Sequence, residues 1–292
     1  MTSEQYSLIG AVVVGWNHRD DSAECIRSIL SSGYPSLKVW FVDNGSTDGS
    51  PAFLRQQFQE ITVIELGSNQ GLAEGYNGGV DAALRARVQY VCVLNNDVAV
   101  VPGVFQALLV AVSLSDRVGL VIPKIVLYSN ENVVWSAGAR KRRFPPGIVQ
   151  RGIGASSSDE RFSKIQPVGY ATSCAWLMNA AMVPEVGLFD PAYPFYYSDN
   201  DYCERVTRHG WKILYTPRAV VKHKVSLSTQ KGSKPVDWWR DLGEAEARFY
   251  RQYGTATQLI LHAGWIVVRS ILQGNARFIP AYVQGLRHAR NP

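Results

Sequence analysis

Cysteine is scarce in this sequence and unpaired in pattern. Four cysteines occur in 292 residues, Cys25, Cys92, Cys174 and Cys203, and none belongs to a C-x-x-C motif. That spacing argues against a zinc cluster. Cys25 and Cys92 lie in apolar runs and read as small packed hydrophobes; the set reads as reduced and cytosolic. Charge is also thin, at 18% of residues against 46% hydrophobic, which excludes a disordered chain and allows one large α/β domain with an appendage. No stretch approaches the roughly 20 clean apolar residues that cross a bilayer. The opening Met-Thr-Ser-Glu-Gln-Tyr has no basic segment before its apolar run, so no secretory leader is expected. Internal repeats and low-complexity tracts are missing too.

Two further absences concern phosphate. Gly71, Gly75, Gly78 and Gly79 form neither G-x-G-x-x-G nor a Walker A loop, so they are read as sites of close backbone packing. The net charge of +6 suits a polyanion, which a nucleotide diphosphate, an anionic membrane or nucleic acid would each supply. Nucleic acid would call for a basic stripe with base-stacking aromatics. Only the knot Arg140-Lys141-Arg142-Arg143 is present, and it reads as a solvated loop, so no nucleic-acid partner is expected.

What is present is alternation. Residues 8–15 form a continuous β-branched run, as in a strand buried on both faces. Helical spacing follows over 22–31, then strands at 38–42, 62–66, 90–94 and 118–122, with helices opening at Ser50-Pro51 and spanning 75–87 and 102–114. Ser50 is expected as N-cap with Pro51 at the first helical position. Such alternation predicts a mostly parallel sheet. After Pro123 the pattern changes to loops and short hairpins over 129–163, strand signals over 168–178, a helix from Asp199 and a last strand at 220–223. From Trp238 the chain reads as helical and amphipathic, and a boundary is expected between Ser226 and Lys234.

Ligands of open parallel sheets bind at the carboxyl ends of the strands, and there the polar residues fall. Four successive strands deliver Trp16-Asn17-His18, then Asp43 to Asp48, then Ser68-Asn69-Gln70-Gly71, then Asn95-Asn96-Asp97. Asp43 is either an acceptor for the imide N–H of uracil or thymine, or the cap of an Asp-Asn-Gly-Ser turn. Asp97 is either a carboxylate ligand of Mg²⁺ or Mn²⁺ bound through a diphosphate, or a strand-end turn residue. In Tyr196 to Cys203, Asp199 or Asp201 either caps a helix or serves as a general base facing an acceptor hydroxyl. His223 closes the set as a structural histidine or a neutral ligand for Mn²⁺.

Taken in order, these stretches resemble glycosyltransferase family 2. Val12-Val13-Val14 through Asn17 with 26–30, Val42 to Gly49, Asn69 to Ala73 with Asn77 and Gly79, Leu94 to Asp97, Gly187 to Asp190, the 199–205 stretch, and His223 with Ser228 follow the family's motifs over about residues 8–228. The nearest likeness is to rhamnosyltransferase-like enzymes of bacterial surface-polysaccharide assembly. The resemblance implies a GT-A fold with a catalytic domain over 1–228, divided into a nucleotide-sugar half at 1–123 and an acceptor half at 124–228, and a helical tail at 229–292. It implies an inverting, metal-dependent transfer of a sugar from a UDP or dTDP donor to a glycan or lipid-linked glycan. Donor contacts are then expected at Asn17, Asp43, Asn44, Ser46, Asn69, Gly71, Asn77 and Asn95, metal ligands at Asp97 and His223, the base at Asp199, and acceptor contacts at Ser198 and Asp201. Two positions depart from the family. Asn95 replaces the first Asp of D-x-D, and Ser198 replaces a Glu before the catalytic helix, which keeps a degenerate nucleotide-sugar-binding module in view. A nucleotidyltransferase would need a Gly-rich basic loop, which 8–19 lacks. A cytoplasmic location follows, with the tail either lying on the inner face of the membrane, packing on the catalytic domain or joining two copies; the sequence leaves the oligomer open.

Overall fold

The computed structural model describes residues 6–225 and 235–289. The first half is built from β1 (Ile9–Gly15), α1 (Arg19–Leu30), β2 (Leu37–Asp43), α2 (Ser50–Gln57), β3 (Ile61–Glu65), α3 (Leu72–Arg85), β4 (Tyr90–Asn95), β5 (Val98–Val100) and α4 (Val104–Val112). The second half adds β6 (Val118–Leu127), β7 (Asn130–Ser136), β8 (Ala139–Arg142), β9 (Gly147–Gln150), β10 (Gln166–Pro167), β11 (Ala175–Asn179), α5 (Val183–Val186), α6 (Ser198–Arg208) and β12 (Lys212–His223). The tail holds α7 (Val236–Tyr253), α8 (Ala256–Leu272) and α9 (Ile279–His288).

The central sheet runs β10-β12-β6-β11-β4-β1-β2-β3. Strands β3, β2, β1 and β4 are mutually parallel, and β12 is parallel to β6. Between these two groups β11 is reversed, pairing antiparallel with both β4 and β6. All seven residues of β1 are buried. Its side chains alternate between two cores: Val12 and Val14 join Trp40, Tyr76 and Trp176 on one face, and Ala11 and Val13 join Ile26, Phe41 and Phe105 on the other. Helix α3 lies close on the first face because Gly75 and Gly79 present no side chain to it. A Cβ on Gly75 would stand 2.6 Å from Val14 Cγ1. The packing reading of these glycines therefore agrees with the structure.

Several boundaries differ from the sequence reading: α1 starts at Arg19, α3 at Leu72, and β6 runs on to Leu127. Gly49, in the left-handed region at φ 79, is the N-cap of α2, so Ser50 is the first helical residue and not the cap. Asp48 supplies the capping oxygen, accepting the Ser50 N–H at 3.0 Å. The strand expected over 168–178 forms only at Ala175–Asn179. The last strand starts at Lys212 instead of 220, and its register with β6 shifts between Thr216 and Val220, at Pro217, which has no N–H for a ladder. The proposed boundary at 226–234, with Ser228, lies outside the described residues.

Candidate functional site

The register of the parallel strands aligns the polar ends. Gly15 lies opposite Asp43, and Val14 opposite Asn95, so the segments following β1, β2 and β4 share one rim. A cleft of about 480 Å³ opens there, lined by Trp16, Asn44, Asn69, Asn95, Asp97 and Phe195 among others.

Asp43 is 2% exposed. Its Oδ2 accepts the Gly45 and Ser46 N–H groups at 3.1 and 3.0 Å, which is the turn-capping arrangement. Its Oδ1 is buried with no hydrogen-bond donor among the described residues. A buried carboxylate oxygen is costly in that state, so the residue both holds the turn and keeps an acceptor open.

Four neighbouring side chains are spent on shaping the cleft. Ser46 Oγ accepts the Asn17 N–H at 2.7 Å, and Asn17 Oδ1 accepts the Thr47 N–H at 2.9 Å. Asn44 donates to Asn69 Oδ1 at 3.1 Å and to the Gly71 carbonyl at 3.0 Å, while its own oxygen accepts the Gln70 N–H at 2.9 Å. Gly71 has φ 89, and a Cβ there would stand 2.6 Å from the Pro194 carbonyl oxygen, so its role in this geometry is close approach of two loops. Asn77 departs from the donor set expected of it. Its amide pairs in both directions with the Phe189 backbone at 2.9 Å, fastening α3 to the loop after α5.

Asp97 and His223 are brought together by antiparallel pairing of β5 with β12, in which Val98 lies opposite His223. Asp97 Oδ1 and His223 Nε2 are 3.2 Å apart, both residues being buried. The ring of Trp135 packs edge-on against the imidazole at 4.4 Å. The separation of Asp97 and His223 is hydrogen-bond distance: burial lowers the His223 pKa, but Cys174 and the Asp97 carboxylate raise it, to about 10, so the two share a proton. A carboxylate and an imidazole are also donors that Mg²⁺ or Mn²⁺ takes in place of such a proton. Among the described residues no group of three or more His, Cys, Asp or Glu side chains is placed to hold a metal.

At α6 the N-cap is Tyr197, in the left-handed region at φ 65 and with no side-chain cap, so neither Asp199 nor Asp201 is the capping residue. The half-buried Asp199 carboxyl accepts the Asn200 N–H at 2.8 Å and the Ser173 N–H. Burial outweighs these bonds and raises its pKa from 3.8 to about 6. Asp201 is different. It is fully buried, with Oδ2 bound by Arg205 at 2.9 and 2.7 Å and Oδ1 by the Tyr253 hydroxyl at 2.6 Å. Both oxygens are taken, which corrects the reading of Asp201 as an acceptor contact; Ser198 is likewise buried, at 2% exposure.

Tyr76 was not legible as a site residue. Its buried hydroxyl lies 2.6 Å from Asn95 Oδ1 and 2.7 Å from the Ser173 carbonyl. Since Ser173 also donates its N–H to Asp199, a continuous polar run joins the donor rim to that carboxylate. An aromatic at helical spacing in an apolar face gave only a packing signal.

Comparison with known proteins agrees with this geometry. Residues 11–187 match the profile of Glycosyl transferase family 2. The chain is similar to the N-acetylglucosaminyl-diphospho-decaprenol L-rhamnosyltransferase of Mycobacterium tuberculosis, at 29% identity over 215 residues, covering 66% of this chain and 68% of that protein. Its fold is similar to that of GalNAc-T7, solved with UDP, GalNAc and Mn²⁺, at a TM-score of 0.63 and 14% identity; 94% of this chain is covered, and it spans 58% of that protein. It is also similar to the mannosyltransferase PcManGT from Pyrobaculum calidifontis in complex with GDP-Man and Mn²⁺, at a TM-score of 0.56 and 17% identity, covering 98% and 76% of the two chains.

Proposed function

Because the chain belongs to glycosyl transferase family 2 and has the GT-A fold, we propose that it transfers a sugar from a nucleoside diphosphate to a hydroxyl acceptor with inversion at the anomeric carbon. The observation that carries this reading is Asp199, a half-buried carboxylate with its pKa raised to about 6 and hydrogen-bonded into the donor rim through Ser173 and Tyr76. A carboxylate tuned toward neutrality is suited to take a proton during attack.

In this mechanism Asp43 Oδ1 accepts N3–H of uracil or thymine, a proton that cytosine lacks; guanine offers N1–H instead. The side chains of Asn17, Ser46, Asn44 and Asn69 hold the loops around the nucleotide. Asp97 and His223 would hold Mg²⁺ or Mn²⁺, which when bound offsets the negative charge on the diphosphate leaving group. Asp199 orients the acceptor hydroxyl and removes its proton as the oxygen bonds to the anomeric carbon. The bond to the β-phosphate oxygen breaks, and its electron pair leaves with the nucleoside diphosphate. One displacement inverts the configuration, and no covalent sugar–protein species forms.

For the acceptor, similarity to the Mycobacterium tuberculosis rhamnosyltransferase supports a lipid-linked glycan in polysaccharide assembly. Such an acceptor would place this protein's site at the inner face of the cell membrane; among the described residues no helix is long and apolar enough to cross it. The testing experiment is a panel of nucleotide sugars with Mn²⁺ read by thermal shift, followed by turnover with the stabilising donor. Stabilisation with turnover supports the reading. Stabilisation without turnover on any hydroxyl acceptor favours a binding module, the outcome that Asn95 and Ser198 make worth measuring.

A further inference from the structure

Helix α8 is built inside out. Its two buried residues, His262 and Ser270, are polar. Its exposed residues include Ile260, Leu261, Trp265, Val268, Ile271 and Leu272, the last at 79% exposure. Spacings of three and four residues place these side chains along one side of the helix. The inward polar groups are satisfied. His262 Nδ1 lies 2.7 Å from the Pro146 carbonyl and Nε2 lies 3.0 Å from Glu246 Oε1, while Ser270 donates to the Ile266 carbonyl at 2.7 Å. The His262 contacts thus tie α8 to the turn of the β8–β9 hairpin and to α7, while the Ser270 bond stays within the helix, and the apolar side of α8 is left outward.

A second element borders this stripe. The β8–β9 hairpin carries Arg140, Lys141, Arg142 and Arg143, and the Arg142 guanidinium lies 5.7 Å over the Trp265 ring. Phe144 at the hairpin turn is 74% exposed. Between hairpin and helices is a 290 Å³ pocket lined by Lys141, Arg142, Arg143, Tyr253 and Gln258, among others.

The charge of both elements has one sign. From Ala247 to Pro292 the sequence has no Asp or Glu, and it has none between Glu131 and Asp159. Two copies meeting through this face would bring arginines against arginines, whereas an anionic bilayer satisfies the apolar stripe and the cations together. We propose that the outward side of α8, with the Arg140–Arg143 hairpin beside it, is the surface on which this protein lies against an anionic lipid bilayer. The helix lies in the plane of the interface with its apolar side chains at the acyl boundary. The same contact sets the height of the site. Lys141 pairs with Glu204 at 2.9 Å and Tyr253 with Asp201 at 2.6 Å, both on the helix that carries Asp199. The use of this surface rests on the lipid-linked acceptor; the docking needs neither donor nor turnover.

The test is cosedimentation of the full chain with vesicles of phosphatidylglycerol mixed with phosphatidylcholine, and of phosphatidylcholine alone. The protein should bind the mixed vesicles and bind the neutral ones at least about tenfold more weakly. The double substitution Ile260→Glu/Leu272→Glu, and separately Arg140→Glu/Arg143→Glu, should each weaken binding at least about tenfold. The thermal midpoint and the nucleotide-induced shift should stay unchanged, which shows that the variants fold. Added salt should weaken the intact protein and matter less to the arginine variant. Absence of vesicle binding by the intact protein, or equal binding by the variants, overturns the proposal. So does a dimer in sedimentation velocity that the Ile260→Glu/Leu272→Glu variant alone dissociates while vesicle binding stays constant, since the stripe then belongs to a second copy. Failure of the transferase reading would appear separately, as vesicle binding with no response to any nucleotide sugar.

Discussion

Asp97 Oδ1 stands 3.2 Å from His223 Nε2, a meeting made by the short strand β5 turning back to pair with the end of β12. Each residue alone reads as ordinary, one as a turn Asp and the other as a lone His. As a pair they are a carboxylate and an imidazole in hydrogen-bond contact, donors that a cation can take in place of their shared proton. Asp97→Ala should abolish Mn²⁺-dependent binding of nucleoside diphosphate, and His223→Ala should weaken it at least about tenfold, equivalent to about 1.4 kcal/mol. Calorimetric titration with UDP, with and without Mn²⁺, checks this. Unchanged affinity of Asp97→Ala in the presence of Mn²⁺ would sink the assignment.

Asp199 has a pKa of about 6 in the folded protein against 3.8 for an ordinary Asp, because burial outweighs the backbone N–H groups of Asn200, Ser173 and Asp199 itself. As a base it must be ionised, so kcat/KM should fall on the acid side with an apparent pKa near 6. Linkage gives the opposite sign for stability. A pKa raised by folding means a contribution present below 3.8 and lost as pH rises through about 6, so above that pH the ionised group costs stability. Asp199→Asn should therefore lose turnover by at least about a hundredfold, keep donor binding, and melt no lower than the parent at pH 8. An acid limb in the ordinary carboxylate range would show that another group is the base.

Asp201, two residues on, should behave in the reverse way. It sits in a buried ion pair with Arg205 and takes the Tyr253 hydroxyl from the tail. Asp201→Ala should destabilise the fold by about 3–5 kcal/mol by leaving the Arg205 charge unpaired. Urea unfolding measures this; a stable Asp201→Ala variant that is nonetheless inactive would transfer the base role to Asp201.

Asp43 keeps Oδ1 open while Oδ2 holds the turn. UDP and dTDP should bind more tightly than CDP, by about tenfold for one charge-assisted hydrogen bond, and Asp43→Ala should narrow that gap. Competition binding with the three diphosphates decides it, and equal affinities in the intact protein would refute the acceptor role.

These contrasts show what was legible in the sequence. The buried run of β1 and the turn residues after β2 follow from local chemistry, and so does the packing role of Gly75 and Gly79. The reversal of β11 does not, because hydrophobic periodicity has no direction. Asn77 and Asp201 have the right residue types in the right motifs, but what removes them from the site is contact with Phe189 and Tyr253, far away in sequence. Tyr76 was hidden for the same reason, since a buried hydroxyl becomes informative only when its partners are known. In the tail, the amphipathic pattern of α8 was readable, and which side faces out was not.

The central claim is a single displacement in which Asp199 takes the acceptor proton. The most direct measurement is the anomeric configuration of the product, by proton NMR, after turnover of the donor identified by thermal shift. Inversion relative to the donor sugar, lost together with turnover in Asp199→Asn, is the predicted result. A product with the donor's configuration retained would contradict the account.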